Sequence, residues 1–213
     1  MPHTNLKDIC AKIRAKFDLT DQARERALAV SREVIRRSAT AIRAIHREEF
    51  DLAMETLKET TGLVREMNDA LRDYPGIYYA GFAQDAQKEY AEALLTLAMV
   101  KRTALPDPDD IGVDYPAFLG GLSDAVGELR RHILDRIRHR DATGEEMLDL
   151  MDEVYYQLVA FDYPGAISGG LKRTVDVLRS ILEKTRGDLT TAIRQQQLED
   201  SLSRLERKLS EES

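Results

Sequence analysis

The sequence predicts an all-α protein, a single-domain antiparallel bundle of about seven helices, and three observations lead there. Helix breakers are few and unevenly spread: 213 residues include 12 Gly and 6 Pro, and residues 20–72 hold one glycine, Gly62, and no proline. Ala, Leu, Glu, Arg and Met dominate those stretches, and such side chains lose little rotamer freedom in a helix. Apolar residues recur at helical spacing, with no strand-like alternation in competition.

The elements follow in order. A short helix is predicted over 5–16 and a long one over 21–46, opened by Thr20 as N-cap; His46-Arg47-Glu48-Glu49 then reads as a tight joint. Further helices are predicted over 49–72, 77–102, 117–140 and 144–161, the last begun by Thr143 with Glu146 at capping-box spacing. A helix over 169–186 follows. Leu198, Leu202, Leu205 and Leu209 are alternately four and three apart, which sets one leucine seam on a final helix. The tripeptide Asp-Tyr-Pro recurs at 73–75, 114–116 and 162–164. Proline disfavours helix in the residue before it, so each copy reads as a joint between helices. Leu105 to Gly112 is the one long loop. The expected division is a main helical domain over 1–187 and a C-terminal helical extension over 188–213.

Charge bounds the function. Lys and Arg number 31 against 38 Asp and Glu, a formal charge of −7, which excludes the even basic coat of a histone-like protein and at first sight opposes a nucleic-acid partner. With 43% apolar and 32% charged residues, the chain is expected to fold. The single cysteine, Cys10, forms no internal disulfide, and no Cys/His cluster suits zinc. That usage fits a reducing cytoplasm. No apolar run approaches a membrane span and the N-terminus lacks a signal-peptide core, so no membrane partner is expected.

On the 77–102 helix, Ala86, Ala93, Leu97 and Val100 fall within about 60° of Phe82 and form an apolar stripe. Glu89 lies in the middle of that stripe and Glu92 at its edge. An i,i+3 glutamate pair is ordinarily a solvated face or a salt-bridge partner. Within an apolar stripe it needs cations, hydrogen bonds or a wet cavity, because an unpartnered buried carboxylate would sooner take up a proton. On the 117–140 helix Asp124 and Glu128 are spaced i,i+4, among Gly120, Gly121, Ser123 and Gly127, on the polar side of the stripe Phe118, Leu122, Ala125, Leu129 and Ile133. Surface exposure of these two is the expectation in a monomer. The four acids together make an all-oxygen donor set suited to Mg²⁺ or Mn²⁺. A di-iron bundle would add Glu-x-x-His, whereas the local pair is Glu128 with His132 at i,i+4; His3, His46 and His139 read as surface or joint residues.

Arg32, Arg36, Arg43 and Arg47 are spaced 4, 7 and 4 and make one basic ridge on the 21–46 helix. The plain reading is a solvated face balanced by acids such as Glu48 and Glu49. Arg130 and Arg131 beside Glu128, and Lys101 with Arg102, put positive charge near the acid-bearing helices. Cations that hold a phosphate backbone and acids that hold a metal are the combination a phosphodiester substrate needs.

Glu89-Tyr90-Ala91-Glu92-Ala93, preceded by Gln84, and Leu119-Gly-Gly-Leu-Ser-Asp-Ala-Val-Gly-Glu-Leu129 resemble the translin family, nearest the translin-associated factor X branch with its archaeal homologues. Arg24 to Arg32 and Ala44-Ile-His-Arg47 resemble the family's matching segment, and residues 20–187 are covered. The resemblance implies a protomer of about seven helices assembling into a hollow homo-oligomer, a ring or octamer with acids lining its chamber. It further implies an Mg²⁺-dependent endoribonuclease acting on single-stranded RNA, with Glu89, Glu92, Asp124 and Glu128 as catalytic and metal-binding acids. Translin proper lacks that acid pattern. Its Arg/His-rich nucleic-acid-binding stretch is replaced here by Gly76-Ile-Tyr-Tyr-Ala-Gly-Phe-Ala83, so RNA contacts are assigned to Arg32, Arg36 and Arg43, with Arg130 and Arg131. Single-stranded DNA is a second candidate ligand. The alternatives are a non-catalytic nucleic-acid-binding assembly with arginine-paired acids, and a scaffold working through the leucine seam.

Overall fold

The computed structural model describes residues 5–138 and 144–211, and those residues are almost wholly helical with no strand among them. The helices are α1 (Leu6–His46), α2 (Phe50–Leu71), α3 (Pro75–Tyr78), α4 (Phe82–Lys101), α5 (Pro108–Ile111), α6 (Tyr115–Arg138), α7 (Gly144–Val159), α8 (Gly165–Ser168) and α9 (Leu171–Glu211). Two compact units divide the chain, Met1–Gly121 and Leu122–Ser213, and the boundary falls inside α6. Among the described residues no helix is long and apolar enough to cross a membrane.

In the first unit α1 packs on α2 and α4. Ala27, Val34, Ala41 and Ile45 line the inner side of α1, and Ala53, Leu57, Val64, Met67 and Leu71 that of α2, each at three-four spacing. Arg26 reaches Glu66 at 2.9 Å and Arg37 pairs with Glu59, so α1 and α2 run antiparallel. Helix α4 is buried on almost every side: Ala83, Ala86, Tyr90, Ala91, Ala93, Leu95, Thr96 and Met99 are all buried. A helix buried around most of its circumference is a core helix.

The expected boundaries shift in four places. The 5–16 and 21–46 helices are one, because Phe17-Asp18-Leu19-Thr20 holds no breaker and the Thr20 hydroxyl donates to the Lys16 carbonyl at 2.9 Å inside the helix instead of capping a new one. The 77–102 helix is split by Gly81, whose φ of +105° leaves the helical region and separates α3 from α4. The 105–112 loop contains the single turn α5, where the Asp107 carboxylate accepts from the Asp109 amide at 2.9 Å. The 169–186 helix and the final one are fused into α9, since Gly187 alone interrupts the pattern and a glycine inside a helix costs only about 1 kcal/mol. All three Asp-Tyr-Pro copies are helix entries, with Pro75 opening α3, Pro116 in the first turn of α6 and Pro164 directly before α8. The Thr143 capping box lies outside the described residues, as do His3 and His139.

A polar network pins the start of α4. The fully buried Gln87 donates to Tyr78 Oη at 2.8 Å and to Asn68 Oδ1 at 3.0 Å, and accepts from the Asp114 amide at 3.0 Å. Tyr78 donates to Asp114 Oδ1 at 2.8 Å, and Asn68 donates to the Gly112 carbonyl at 2.8 Å. Burial, reinforced by the Asp114 carboxylate, pushes the Tyr78 hydroxyl up to about 12.

In the second unit α7 and α9 pack antiparallel, as Asp152 meets Arg186 at 2.6 Å and the Arg179 guanidinium donates to Tyr155 Oη at 2.8 Å. Met147, Met151, Val154 and Leu158 on α7 and Leu171, Leu178, Leu182 and Leu189 on α9 form its core, with Ala125, Leu129 and Ile133 of α6.

Gly121, near the start of α6, lies against α4: a Cβ there would meet the Lys88 carbonyl oxygen at 2.7 Å and Ala91 Cβ and the Glu92 amide nitrogen at 2.9 Å each. Backbone cannot yield as a flexible side chain does, so Gly121→Ala is expected to destabilise the protein by about 1–3 kcal/mol. Gly127→Ala, with nothing within 4 Å of its Cβ, is expected to stabilise it by up to about 1 kcal/mol. Denaturant melts of both variants measure the contrast. For Tyr78, the unfolded chain ionises near pH 10 while the folded one holds the proton to about 12, so its contribution is complete below pH 10 and lost as pH rises through that window. Stability measured against pH is expected to fall less steeply across that window in Tyr78→Phe.

Candidate functional site

The predicted acids sit on two helices. On α4, Glu92 is 9% exposed and Glu89, one turn earlier, is half-buried. The reason for that burial is local: α4 is alanine-rich at 83, 86, 91, 93 and 98, and small side chains let neighbouring helices approach its backbone. Gly121 is where α6 does so, directly beside the Glu92 amide. Asp124 and Glu128 lie further along α6, in the second unit, one turn apart on one face of that helix. Both are half-buried, more enclosed than the exposed polar face expected of them. Glu128 lies 3.9 Å from Arg131. His132 is buried and its Nε2 accepts from Arg136 at 3.3 Å, which makes it a packed core histidine.

The donor chemistry of the four acids is all-oxygen, the type that Mg²⁺ and Mn²⁺ prefer. Among the described residues no three His, Cys, Asp or Glu side chains are gathered as a metal cage. Mg²⁺ does not demand one: it keeps several waters and is commonly held by one or two carboxylates together with substrate phosphate. Glu89 and Glu92, about one turn apart on the same helix, supply such a pair.

The predicted arginines separate into two groups. Arg32, Arg36 and Arg43 are exposed along one edge of α1, away from the buried Val34, Ala41 and Ile45, and Arg47, the residue just past its end, is exposed too. Arg36 donates to Glu33 at 2.9 Å, and Glu33 is shared with Arg37. The Arg37 bond, followed by that of Arg36, holds the Glu33 carboxyl below the ordinary carboxylate value. The Arg43 guanidinium donates to the Thr40 hydroxyl, a neutral partner, at 2.9 Å. Arg130 is committed elsewhere: its guanidinium donates to Thr185 Oγ1 at 3.0 Å and to Asp188 Oδ2 at 2.8 Å, tying α6 to α9. Arg131 keeps 59% of its side chain exposed beside Glu128.

Two features escaped the sequence reading. Gly121 was one small residue among several near the α6 acids, and only a neighbouring backbone distinguishes it. A cleft of about 490 Å³ lies in the first unit, lined by Asn68, Arg72, Tyr78, Tyr79, Asp109 and Asp114 among others. Its one sequence signal was the second Asp-Tyr-Pro copy, which supplies Asp114.

No protein-family model matches the chain. An uncharacterized protein of Methanocaldococcus jannaschii, MJ0175, is 33% identical over 196 residues, which are 90% of this chain and 86% of that protein. The crystal structure of AfC3PO superposes with a TM-score of 0.80 at 32% identity, covering 86% of this chain and 96% of AfC3PO. The AfC3PO complex with duplex RNA gives 0.79 at 32% identity over 86% of this chain and 95% of that one. Apo-NeC3PO, 20% identical with a TM-score of 0.78, shares the fold. AfC3PO is a C3PO protein of the translin and translin-associated factor X type. With 33% identity to MJ0175 over 86% of that protein and 32% to AfC3PO over 96% of that chain, and with the acid pattern and all-helical build already described, the chain belongs to the translin and translin-associated factor X family.

Proposed function

We propose that this chain forms an RNA-associated homo-oligomeric assembly and, within it, acts as a metal-dependent endoribonuclease on single-stranded RNA. The observation that carries the RNA reading is the likeness to AfC3PO in its duplex RNA complex, at 32% identity over 95% of that chain. The exposed ridge of Arg32, Arg36 and Arg43 is the surface assigned to the phosphate backbone, where guanidinium groups release condensed counterions on binding. Hydrolysis is assigned to Glu89, Glu92, Asp124 and Glu128. The support is the burial of Glu92 in α4, the partial burial of Glu89, Asp124 and Glu128, and the pairing of the acids by spacing on each of the two helices. Glu89, Glu92 and Asp124 would hold the Mg²⁺ or Mn²⁺, which would supply Lewis-acid activation of water and positive charge for the phosphate. Glu128 would be a further ligand or would orient the attacking water. Arg130, engaged with Thr185 and Asp188, is left out of the RNA surface, and Arg131 is kept as a neighbour of Glu128.

The Glu128–Arg131 ion pair favours one competing reading, an RNA-binding assembly in which the acids are paired structurally and cleave nothing. A labelled RNA oligomer, single-stranded or duplex, incubated with and without Mg²⁺ separates the two. Glu89→Gln with Glu92→Gln keeps size and removes charge, so cleavage is expected to fall by at least about 100-fold while helicity and oligomeric mass persist. Undiminished cleavage by that double variant removes the assignment. Replacing Arg32, Arg36 and Arg43 by Gln is expected to weaken RNA binding and to reduce the slope of log affinity against log salt by about 2, at about 0.7 per lost single-strand phosphate contact. Titration at several salt concentrations measures it, and an unchanged slope takes the ridge out of the RNA surface.

A further inference from the structure

The last part of α9 has a face that its own unit does not use. The packed stripe of α9 is Leu171, Leu178, Leu182, Thr185 and Leu189, and no described side chain of α9 beyond Leu189 is buried. Leu198, Leu202, Leu205 and Leu209 are 60%, 52%, 54% and 57% exposed. At about 100° per residue, Leu198 lies about 180° around the helix from Leu189, and the other three leucines within about 40° of that direction. The seam therefore points away from the side on which α9 packs, and extending the packing within the unit does not cover it. Most helical stability in proteins comes from tertiary packing of an apolar face, and this face has no such packing in its own unit.

We infer that this seam is a coiled-coil surface for the same seam of a second copy, paired parallel and in register. Leucines alternately four and three apart are the a and d positions of a heptad, and a like-with-like seam is self-complementary under two-fold symmetry. Flanking charge chooses the orientation. With Leu202 and Leu209 at a, Arg194 is a g position and Glu199 and Glu206 are e positions. A parallel pair sets Arg194 of each helix against Glu199 of the other, because g faces the e position five residues on. An antiparallel pair centred on the leucines would instead set Glu199 against Glu206 twice. Each such surface pair contributes little, but the sign is opposite in the two arrangements.

The test uses the full chain carrying Cys10→Ser, which removes the one native thiol. Leu205→Cys in that background is expected to give a disulfide-linked dimer under mild oxidation in dilute solution. Its yield should exceed by at least about tenfold that of Arg207→Cys, on the far side of the same helix turn, because only the seam holds two thiols at high effective concentration. Adding Leu198→Gln and Leu202→Gln to the Leu205→Cys chain should remove the excess. Equal yields from positions 205 and 207, or no dimer from 205 in a chain of undiminished helicity, overturns the inference. Dimer that forms only when Cys10 is retained also overturns it, and points instead to the exposed Leu6, Ile9, Ile13 and Phe17 stripe of α1 as the occupant. None of these readouts involves RNA, so the outcome is independent of the proposed activity.

Discussion

The seating of Gly121 on the backbone of α4 is the contact on which the rest of the arrangement depends. A missing Cβ lets α6 come within van der Waals distance of Lys88, Ala91 and Glu92, and the alanines of α4 make the same allowance on its other sides. Close approach of backbones excludes water, and dispersion contacts at interior density replace it. Glu92 sits on the helix so enclosed, which is why a carboxylate that favours water is only 9% exposed.

Electrostatics works by location here. A net charge of −7 describes the average surface and says little about the edge of α1, where Arg32, Arg36, Arg43 and Arg47 stand exposed. At physiological salt the Debye length is about 8 Å, so the charge felt at that edge is set by its own side chains and not by the average over the chain. The ridge is partly balanced at Glu33, which Arg36 and Arg37 share. Arg130 shows the opposite use of the same side chain, its fork satisfied by a hydroxyl and a carboxylate of α9, where planar geometry serves helix packing.

The fold was legible in the sequence to the extent that helices are local. The helices predicted over 49–72 and 144–161 match α2 and α7, and proline in the three Asp-Tyr-Pro copies places joints between helices, because both signals act within a turn or two of chain. Boundaries were less legible. Thr20 has the chemistry of an N-cap, yet the same hydroxyl satisfies itself on the Lys16 carbonyl once the helix runs through, and sequence alone does not choose between the two. Gly81 and Gly187 differ likewise: one takes a positive φ and breaks a helix, the other stays inside one. Of the candidate site, the residue types and the sharing of a face by Glu89 with Glu92 and by Asp124 with Glu128 were readable from spacing. Which arginines remain available was not, because Arg130 finds its partners 55 and 58 residues away.

By itself, then, the sequence determined the helical class, the joints, the acid pairs, the basic ridge and the leucine seam, all of them properties of neighbouring residues on one helix or turn. Tertiary structure decided what those features face. It distinguished Gly121 from the other small residues of α6, gathered Asn68, Tyr78, Gln87 and Asp114 from four parts of the chain into one network, and turned the leucine seam away from the packed side of α9. The physical reason is that helix formation is governed by bonds four residues apart, whereas burial, close approach and hydrogen-bond satisfaction depend on residues brought together from distant parts of the chain.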